Sequence, residues 1–233
     1  MSTQFTLPID NAYRPTMDNF VVGDNVELVE FLGSSKEGFR GVWVSGRRSS
    51  GRTHLLQAHC YAATQLGRQV IYLDCKLPQQ TYGAQLKRAM NMPLGSDALI
   101  AIDNLGKLQT TEQQEEALMS IYQSLHAAAG EMLVSHEQSA LGVEFGLPDL
   151  NSRMRGLAHF SLVPLCDQGK AEVLTLRAQA KGYDLPEAVL EYWLRRGPRD
   201  LSTLVRDLER LDEATLRHQR LLTVPLLKQV LGY

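Results

Sequence analysis

The sequence predicts an α/β fold, with a parallel five-stranded sheet and flanking helices, followed by a small all-helical domain. Two patterns carry this prediction. Short apolar runs alternate with helical stretches up to Pro164, and no strand-like run occurs after it. Strands separated by helices are typical of a parallel sheet that is covered on both faces. At roughly 150 residues per domain, the 233 residues suffice for one large domain or two unequal ones.

The strands are predicted from apolar runs that end in glycine or polar residues. They are residues 41–45, 69–74, 98–103, 131–135 and 159–163. Helical patterning in the same part of the chain covers residues 26–32, 53–66 and 112–129. We therefore expect a tail over residues 1–15 and an α/β domain over residues 16–164.

Four helical segments are predicted in the last part of the chain, residues 165–233. They cover residues 167–181, 186–196, 199–216 and 223–231. Glycine and proline separate them, and Pro225 suits the first turn of the last helix.

Composition excludes several classes of protein. The formal net charge is -2, whereas proteins that bind duplex DNA strongly usually carry a basic excess. The three cysteines are far apart and form no CxxC motif, which argues against a disulfide framework or a cysteine-based zinc site. Free thiols suit the cytoplasm. No apolar run approaches the roughly 18 residues that a membrane span needs, and no signal peptide is evident.

A glycine-rich loop joins the first predicted strand to the next helix. Residues 46–53 match G-x-x-x-x-G-K-[ST] except that Arg52 replaces the lysine. In this motif backbone N–H groups surround phosphate oxygens, a cation contacts the outer phosphates and a hydroxyl binds Mg²⁺. The alternative is an ordinary Gly/Ser turn, but the strand–loop–helix context favours phosphate binding. The candidate residues are Gly46, Ser49, Ser50, Gly51, Arg52, Thr53 and His54.

A carboxylate follows the third apolar run. Asp103 and Thr53 are the candidate Mg²⁺ site, the alternative being an aspartate that caps the turn. Asn104 comes next, where many ATPases of this class have an acid. An amide can align a water molecule but cannot take its proton, so we expect weak intrinsic hydrolysis.

Four further segments, in order, resemble the AAA+ ATPases, and among them the family of the bacterial replication initiator DnaA and its shorter Hda-type relatives. The segments are residues 18–23, 53–58, 146–153 and 198–201. The resemblance covers roughly residues 16–231. It identifies the α/β part as the AAA+ P-loop NTPase base and the helical part as its lid.

The resemblance implies roles for residues outside the loop. Phe20, Val21 and Val22 would contact the nucleotide base, and Arg199 would reach the nucleotide from the lid. Arg153 would act in trans as an arginine finger at a partner's γ-phosphate. The alternatives are a local ion pair of Arg153 with Asp149 and a solvated Arg199. The resemblance leaves open whether Ser135 or His136 serves as sensor 1.

The N-terminal segment resembles the short tail by which Hda-type proteins dock on the β sliding clamp of DNA polymerase III. Its candidate contacts are Gln4, Phe5, Leu7 and Pro8. The alternative is a tail without a partner. One or two apolar side chains in a pocket, at about 1.5–3 kcal/mol each, would give only modest affinity.

The resemblance implies a cytoplasmic negative regulator of replication initiation rather than an enzyme in its own right. It would hold a nucleoside diphosphate, ADP by analogy, with Mg²⁺, and would stimulate ATP hydrolysis by DnaA. Contact with DNA would be indirect, through DnaA and the clamp, and self-association stays open. The alternatives are an autonomous ATPase, such as a helicase loader, and a DnaA-like initiator.

Overall fold

The computed structural model describes residues 13–108, 111–218 and 221–232. The chain divides into two compact units. The first is Pro15–Pro164, and the second is Leu165–Tyr233, with which Tyr13 and Arg14 are grouped. Among the described residues, no helix has the length and apolar character needed to cross a membrane.

The first unit contains a parallel sheet of five strands, as predicted. They are β1 Arg40–Ser45, β2 Val70–Asp74, β3 Leu99–Asp103, β4 Glu131–His136 and β5 Ala158–Ser161. Their spatial order is β2-β3-β4-β1-β5. Every neighbouring pair is parallel, so the carboxyl ends of all five strands lie at one edge.

Five α-helices flank this sheet: α1 Val26–Gly33, α2 Arg52–Gln65, α3 Gln79–Asn91, α4 Glu112–Ala127 and α5 Pro148–Arg155. Three of them match predicted helices, whereas α3 and α5 were not predicted. Arg153 therefore lies on a helix before β5.

Successive side chains of β1 point to opposite faces of the sheet and belong to two different apolar cores. Trp43 belongs to a core with residues of α3, α4 and α5, whereas Val42 and Val44 belong to a second core with residues of α1 and α2. This is the period-two alternation of a strand that is buried on both faces. It fixes α2, and with it the loop before α2, against the sheet.

A buried ionic cluster lies at the amino end of β4. Glu131 is fully buried, and its carboxylate contacts Arg40 at 2.6 Å, Arg68 at 2.7 Å and His59 at 3.1 Å. Arg40 is on β1, next to β4, and His59 is on α2. One carboxylate thus ties the phosphate-loop helix to the centre of the sheet.

The described residues of the second unit form four helices: α6 Asp167–Ala180, α7 Glu187–Arg196, α8 Leu201–His218 and α9 Val224–Leu231. They pack around Trp193, Leu204 and Leu227. Pro225 lies in the first turn of α9, as predicted.

The predicted helix over residues 199–216 begins two residues later, at Leu201. The Asp200 carboxylate accepts a hydrogen bond from the backbone N–H of Thr203 at 2.9 Å. Such a bond satisfies a free N–H of the first helical turn. Arg199 therefore lies in the preceding turn and does not open the helix.

Candidate functional site

The glycine-rich loop runs from Ser45, where β1 ends, to Arg52, where α2 begins. Ser49 and Gly51 have left-handed backbone conformations, with φ of 64° and 97°. A Cβ at Gly46 would lie 2.6 Å from Ser50 Oγ and 3.2 and 3.3 Å from Leu162 Cβ and O, so this position leaves little space for a larger residue. Left-handed residues in such a loop turn successive N–H groups toward one concave side, which is a common anion site.

Three polar side-chain atoms of this loop are buried without a hydrogen-bond partner. They are Ser49 Oγ, Ser50 Oγ and Arg52 Nη1. Buried polar atoms nearly always have partners, so unpartnered ones in one loop require an explanation. A phosphate group supplies the acceptors that all three lack. The loop therefore fits the phosphate group of a nucleotide.

Arg52, which replaces the usual lysine, is 8% exposed. Burial lowers the pKa of its guanidinium, and this effect outweighs the opposing attraction of Asp103 and Glu137. Arg52 also lines a cavity of about 300 Å³ at the carboxyl edge of the sheet. The other residues lining it are Asn104, Gly106, Lys107, His136, Glu137 and Gln138.

Asp103 is fully buried at the end of β3 and accepts four side-chain hydrogen bonds. Thr53 Oγ1, Tyr72 OH and Asn104 Nδ2 donate to Oδ2 at 2.7, 2.8 and 2.8 Å. The Ser135 hydroxyl donates to Oδ1. The structure thus brings together the two predicted metal residues, Thr53 and Asp103.

This arrangement limits how Mg²⁺ would be held. Thr53 donates its proton to Asp103, which leaves the hydroxyl lone pairs for a cation. Asp103 already accepts four bonds, so it would act through Thr53 more readily than as a direct ligand. Among the described residues, no three His, Cys, Asp or Glu side chains are grouped to hold a metal ion. The residues fit a Mg²⁺ ion bound through Thr53 and nucleotide phosphates.

Asn104 adopts a left-handed conformation, with φ of 58°. Its side-chain amide donates to Asp74 Oδ1 at 3.0 Å as well as to Asp103, and its backbone N–H donates to Ser135 Oγ at 2.9 Å. The side chain is held as a donor between two carboxylates. It cannot serve as a general base.

The two sensor 1 candidates occupy different places. Ser135 is fully buried, and its hydroxyl is used between Asp103 and Asn104. His136 lines the cavity beside Arg52. Its Nδ1 accepts from the Gln138 N–H at 2.8 Å. Burial lowers the pKa of His136 and the charge of Arg52 lowers it further, and together these outweigh the opposing effects of Gln138 and Glu137.

Two of the three predicted base-contacting residues are core residues, and one of these, Phe20, lies against the loop. Phe20 and Val21 are buried, and Val22 is half-buried. The Phe20 ring packs 5.5 Å from the His54 ring and against Gly51. His54 Nε2 is 2.9 Å from Asn19 Oδ1, so His54 faces this segment.

The two arginines with expected long-range roles are both exposed. Arg153 is 3.9 Å from Asp149 on the same helix, and about half of its side chain is exposed. Arg199 Nη1 is 2.9 Å from Asp167 Oδ2, in an exposed pair within the second unit. The clamp-contact candidates Gln4, Phe5, Leu7 and Pro8 lie outside the described residues.

Two residues of the Asp103 network, Tyr72 and Asp74, were not predicted, and Ser135 was considered only as a sensor 1 candidate. Tyr72 and Asp74 come from β2, and Ser135 comes from β4. Each lies at or near the carboxyl end of a strand, and these two strands flank β3 in the sheet. The signal was their position near the strand ends, but using it requires the strand order, which the sequence does not state.

Both units are similar to parts of known proteins. Residues 167–231 match the family model described as Hda, lid domain. The second unit is therefore similar to the lid domain of Hda.

Solved structures agree with this assignment at the level of the fold. Domain III of the Thermotoga maritima replication initiation protein DnaA superposes with a TM-score of 0.78 at 16% identity, covering 97% of this chain and 98% of that one. AMPPCP-bound DnaA from Aquifex aeolicus gives 0.64 at 18% identity, covering 86% and 67%. The Thermotoga maritima RuvB Holliday junction branch migration motor gives 0.64 at 16%, covering 95% and 72%. The AAA+ fold that the sequence predicted is confirmed.

Proposed function

We propose that this DnaA-related protein is a negative regulator of replication initiation. It binds a nucleoside diphosphate, docks on the DNA polymerase III sliding clamp and stimulates ATP hydrolysis by DnaA through Arg153. The observation that carries this proposal is the match of residues 167–231 to the Hda lid family, joined to an α/β unit with a phosphate-binding loop.

Nucleotide binding is supported by the chemistry of the loop. The unpartnered atoms of Ser49, Ser50 and Arg52 suit phosphate oxygens, and the start of α2 adds the positive end of a helix dipole. The likeness to AMPPCP-bound DnaA is consistent with this use of the fold. ADP is the diphosphate proposed, with Mg²⁺ held through Thr53, and Arg199 is proposed as a further cation for the nucleotide.

A regulatory role rather than autonomous hydrolysis is supported by Asn104. It follows the buried Asp103 and donates to two carboxylates, so it offers no basic group to an attacking water molecule. Arg153 is suited to act on a partner because its side chain is half-exposed. Its contact with Asp149 at 3.9 Å is of a kind that contributes about 0–1 kcal/mol.

In the proposed reaction, DnaA supplies the nucleotide and the attacking water molecule. The Arg153 guanidinium stabilises negative charge on the transferring phosphoryl group, an effect that contributes about 10³–10⁵ in rate in other systems. The clamp would concentrate the protein on DNA through residues 4–8. DNA contact by this chain is then unnecessary, in keeping with its net charge of -2.

The test is phosphate release from DnaA loaded with radiolabelled ATP, measured with the clamp, DNA and this protein. We expect hydrolysis to accelerate when this protein is added and to be negligible with this protein and ATP alone. Comparable turnover without DnaA would contradict the proposal and support an autonomous ATPase.

A further inference from the structure

A histidine of the phosphate-loop helix is hydrogen-bonded to the segment that precedes α1. His54 is the third residue of α2 and directly follows Thr53. Its Nε2 is 2.9 Å from Asn19 Oδ1 and 3.4 Å from Thr16 O. Both partners are oxygens that can only accept, so Nε2 carries the proton and donates it.

The segment that His54 fastens is itself ordered by reciprocal bonds. The Thr16 N–H donates to Asn19 Oδ1 at 2.9 Å, and the Asn19 N–H donates to Thr16 Oγ1 at 3.3 Å. Asn19 Oδ1 therefore accepts both from the segment and from His54. Losing the imidazole would leave the turn formed but would remove this hydrogen-bonded link to α2.

Residues 16–22 are also fastened at their other end. Asn25 Nδ2 donates to Val22 O at 2.9 Å and to Val163 O at 3.1 Å, and the Val163 N–H donates to Asn25 Oδ1 at 2.7 Å. Between the two attachments, Phe20 packs against His54 and Gly51. The segment thus lies along the phosphate loop with both ends held.

We infer that His54 is a positioning residue that fixes residues 16–22 beside the phosphate loop and so sets the affinity for the base end of the nucleotide. This inference rests on the proposed nucleotide binding. The phosphates belong to the loop, whose N–H groups and orphaned side chains need nothing from His54. Phe20, Val21 and Val22, which the family resemblance assigns to the nucleotide base, belong to this segment, so the base end of the nucleotide would depend on the position of the segment.

The inference separates two affinities that a general structural defect would change together. Displacing the segment should weaken the binding of a whole nucleotide. It should not change the affinity for a ligand that consists only of phosphates. The probes are ADP and inorganic pyrophosphate, which lacks a base and a ribose. Both are titrated by calorimetry into the full chain and its variants.

We expect His54→Ala to weaken ADP binding about tenfold, as the loss of one or two hydrogen bonds predicts. Pyrophosphate binding should stay within about twofold of the original value. His54→Gln, whose amide N–H can still donate to Asn19, should restore most of the ADP affinity. Gln65→Ala, at an exposed position of the same helix, is the matched control and should change neither affinity.

Equal losses for ADP and pyrophosphate in His54→Ala, or an unchanged ADP affinity, would overturn the positioning role. A wild-type chain that binds ADP no more tightly than pyrophosphate would overturn it as well, since the segment would then add nothing. Absence of binding by both probes to the wild-type chain would instead contradict the proposed nucleotide binding. The two failures are therefore distinguishable.

Discussion

The burial of Arg52 favours phosphate binding at the expense of the stability of the nucleotide-free protein. Its guanidinium is buried, Nη1 has no partner, and burial lowers its pKa despite two nearby carboxylates. A buried cation without full compensation costs free energy. Bound phosphate would supply the missing acceptors, so the cost is recovered only in the complex.

Replacing Arg52 with methionine should therefore change stability and affinity in opposite directions. We expect Arg52→Met to raise the melting temperature of the nucleotide-free protein, because it removes an uncompensated buried charge. We expect ADP affinity to fall about tenfold or more, as the loss of a charged hydrogen bond predicts. Differential scanning fluorimetry and calorimetry measure the two effects.

Arg48→Met is the matched control, because Arg48 is exposed in the same loop and should leave the melting temperature unchanged. A lower melting temperature in nucleotide-free Arg52→Met would show that Asp103 and Glu137 already compensate the charge of Arg52.

Glu131 presents the opposite case, a buried charge with full compensation. Burial raises its pKa, but the hydrogen bond and charge of His59, together with Arg68 and Arg40, lower it to about 2 from the ordinary 4.5. A carboxylate with a depressed pKa stabilises the fold above its unfolded pKa. That contribution is lost as pH falls from about 4.5 toward about 2.

Glu131→Gln should lower the free energy of unfolding by about 3–5 kcal/mol, because it leaves buried cations unpaired. Urea unfolding at neutral pH measures this loss. The variant should also lose less stability than the original protein between pH 4.5 and pH 2. An unchanged midpoint at neutral pH would show that the cluster contributes nothing net.

At the scale of elements, the strands and most helices could be predicted, but two helices were missed. The buried residues of α3, Tyr82, Leu86 and Ala89, have helical spacing, although polar residues surround them. In α5, Leu150 and Met154 have the same spacing, and Pro148 marks the first turn. Both signals are present but weak, since each helix buries only two or three side chains.

The strand order and the Asp103 network could not be predicted from the sequence. Ser135 reaches Asp103 only because β4 lies beside β3, and that pairing joins residues about thirty positions apart. The loop itself was predictable because its residues are contiguous. Contacts made by neighbouring strands depend on topology, which local patterns do not specify.

The cap of α8 gives a prediction at this scale. The Asp200 carboxylate accepts from the Thr203 N–H and from the Ser202 and Thr203 hydroxyls. Asp200→Ala should destabilise the chain by about 1 kcal/mol through the loss of this cap. Asp200→Asn should recover most of it, and denaturant unfolding monitored by circular dichroism measures both. Equal stability of all three proteins would argue against the cap.

For the whole molecule, the proposal assigns separate tasks to separate parts of the chain. The loop and residues 16–22 bind the nucleotide, Arg153 acts on DnaA, and residues 4–8 bind the clamp. The net charge of -2 fits a protein that reaches DNA through its partners. These tasks should be separable by mutation.

Deleting residues 1–8 tests this separation. We expect the truncated chain to lose binding to the immobilised sliding clamp. It should keep its affinity for ADP, because the deletion does not include the phosphate loop at residues 46–53. Surface plasmon resonance and calorimetry measure the two affinities. Retained clamp binding would contradict the assignment of residues 4–8, and a parallel loss of ADP binding would contradict the separation of tasks.

The most direct test of the central claim is the rate of ATP hydrolysis by DnaA, with clamp and DNA present, in the presence of Arg153→Ala. Arg155→Ala is the control, because Arg155 is an exposed arginine of the same helix. We expect Arg153→Ala to return hydrolysis to the rate without this protein, with nucleotide and clamp affinities unchanged, and Arg155→Ala to stimulate fully. Full stimulation by Arg153→Ala would contradict the claim.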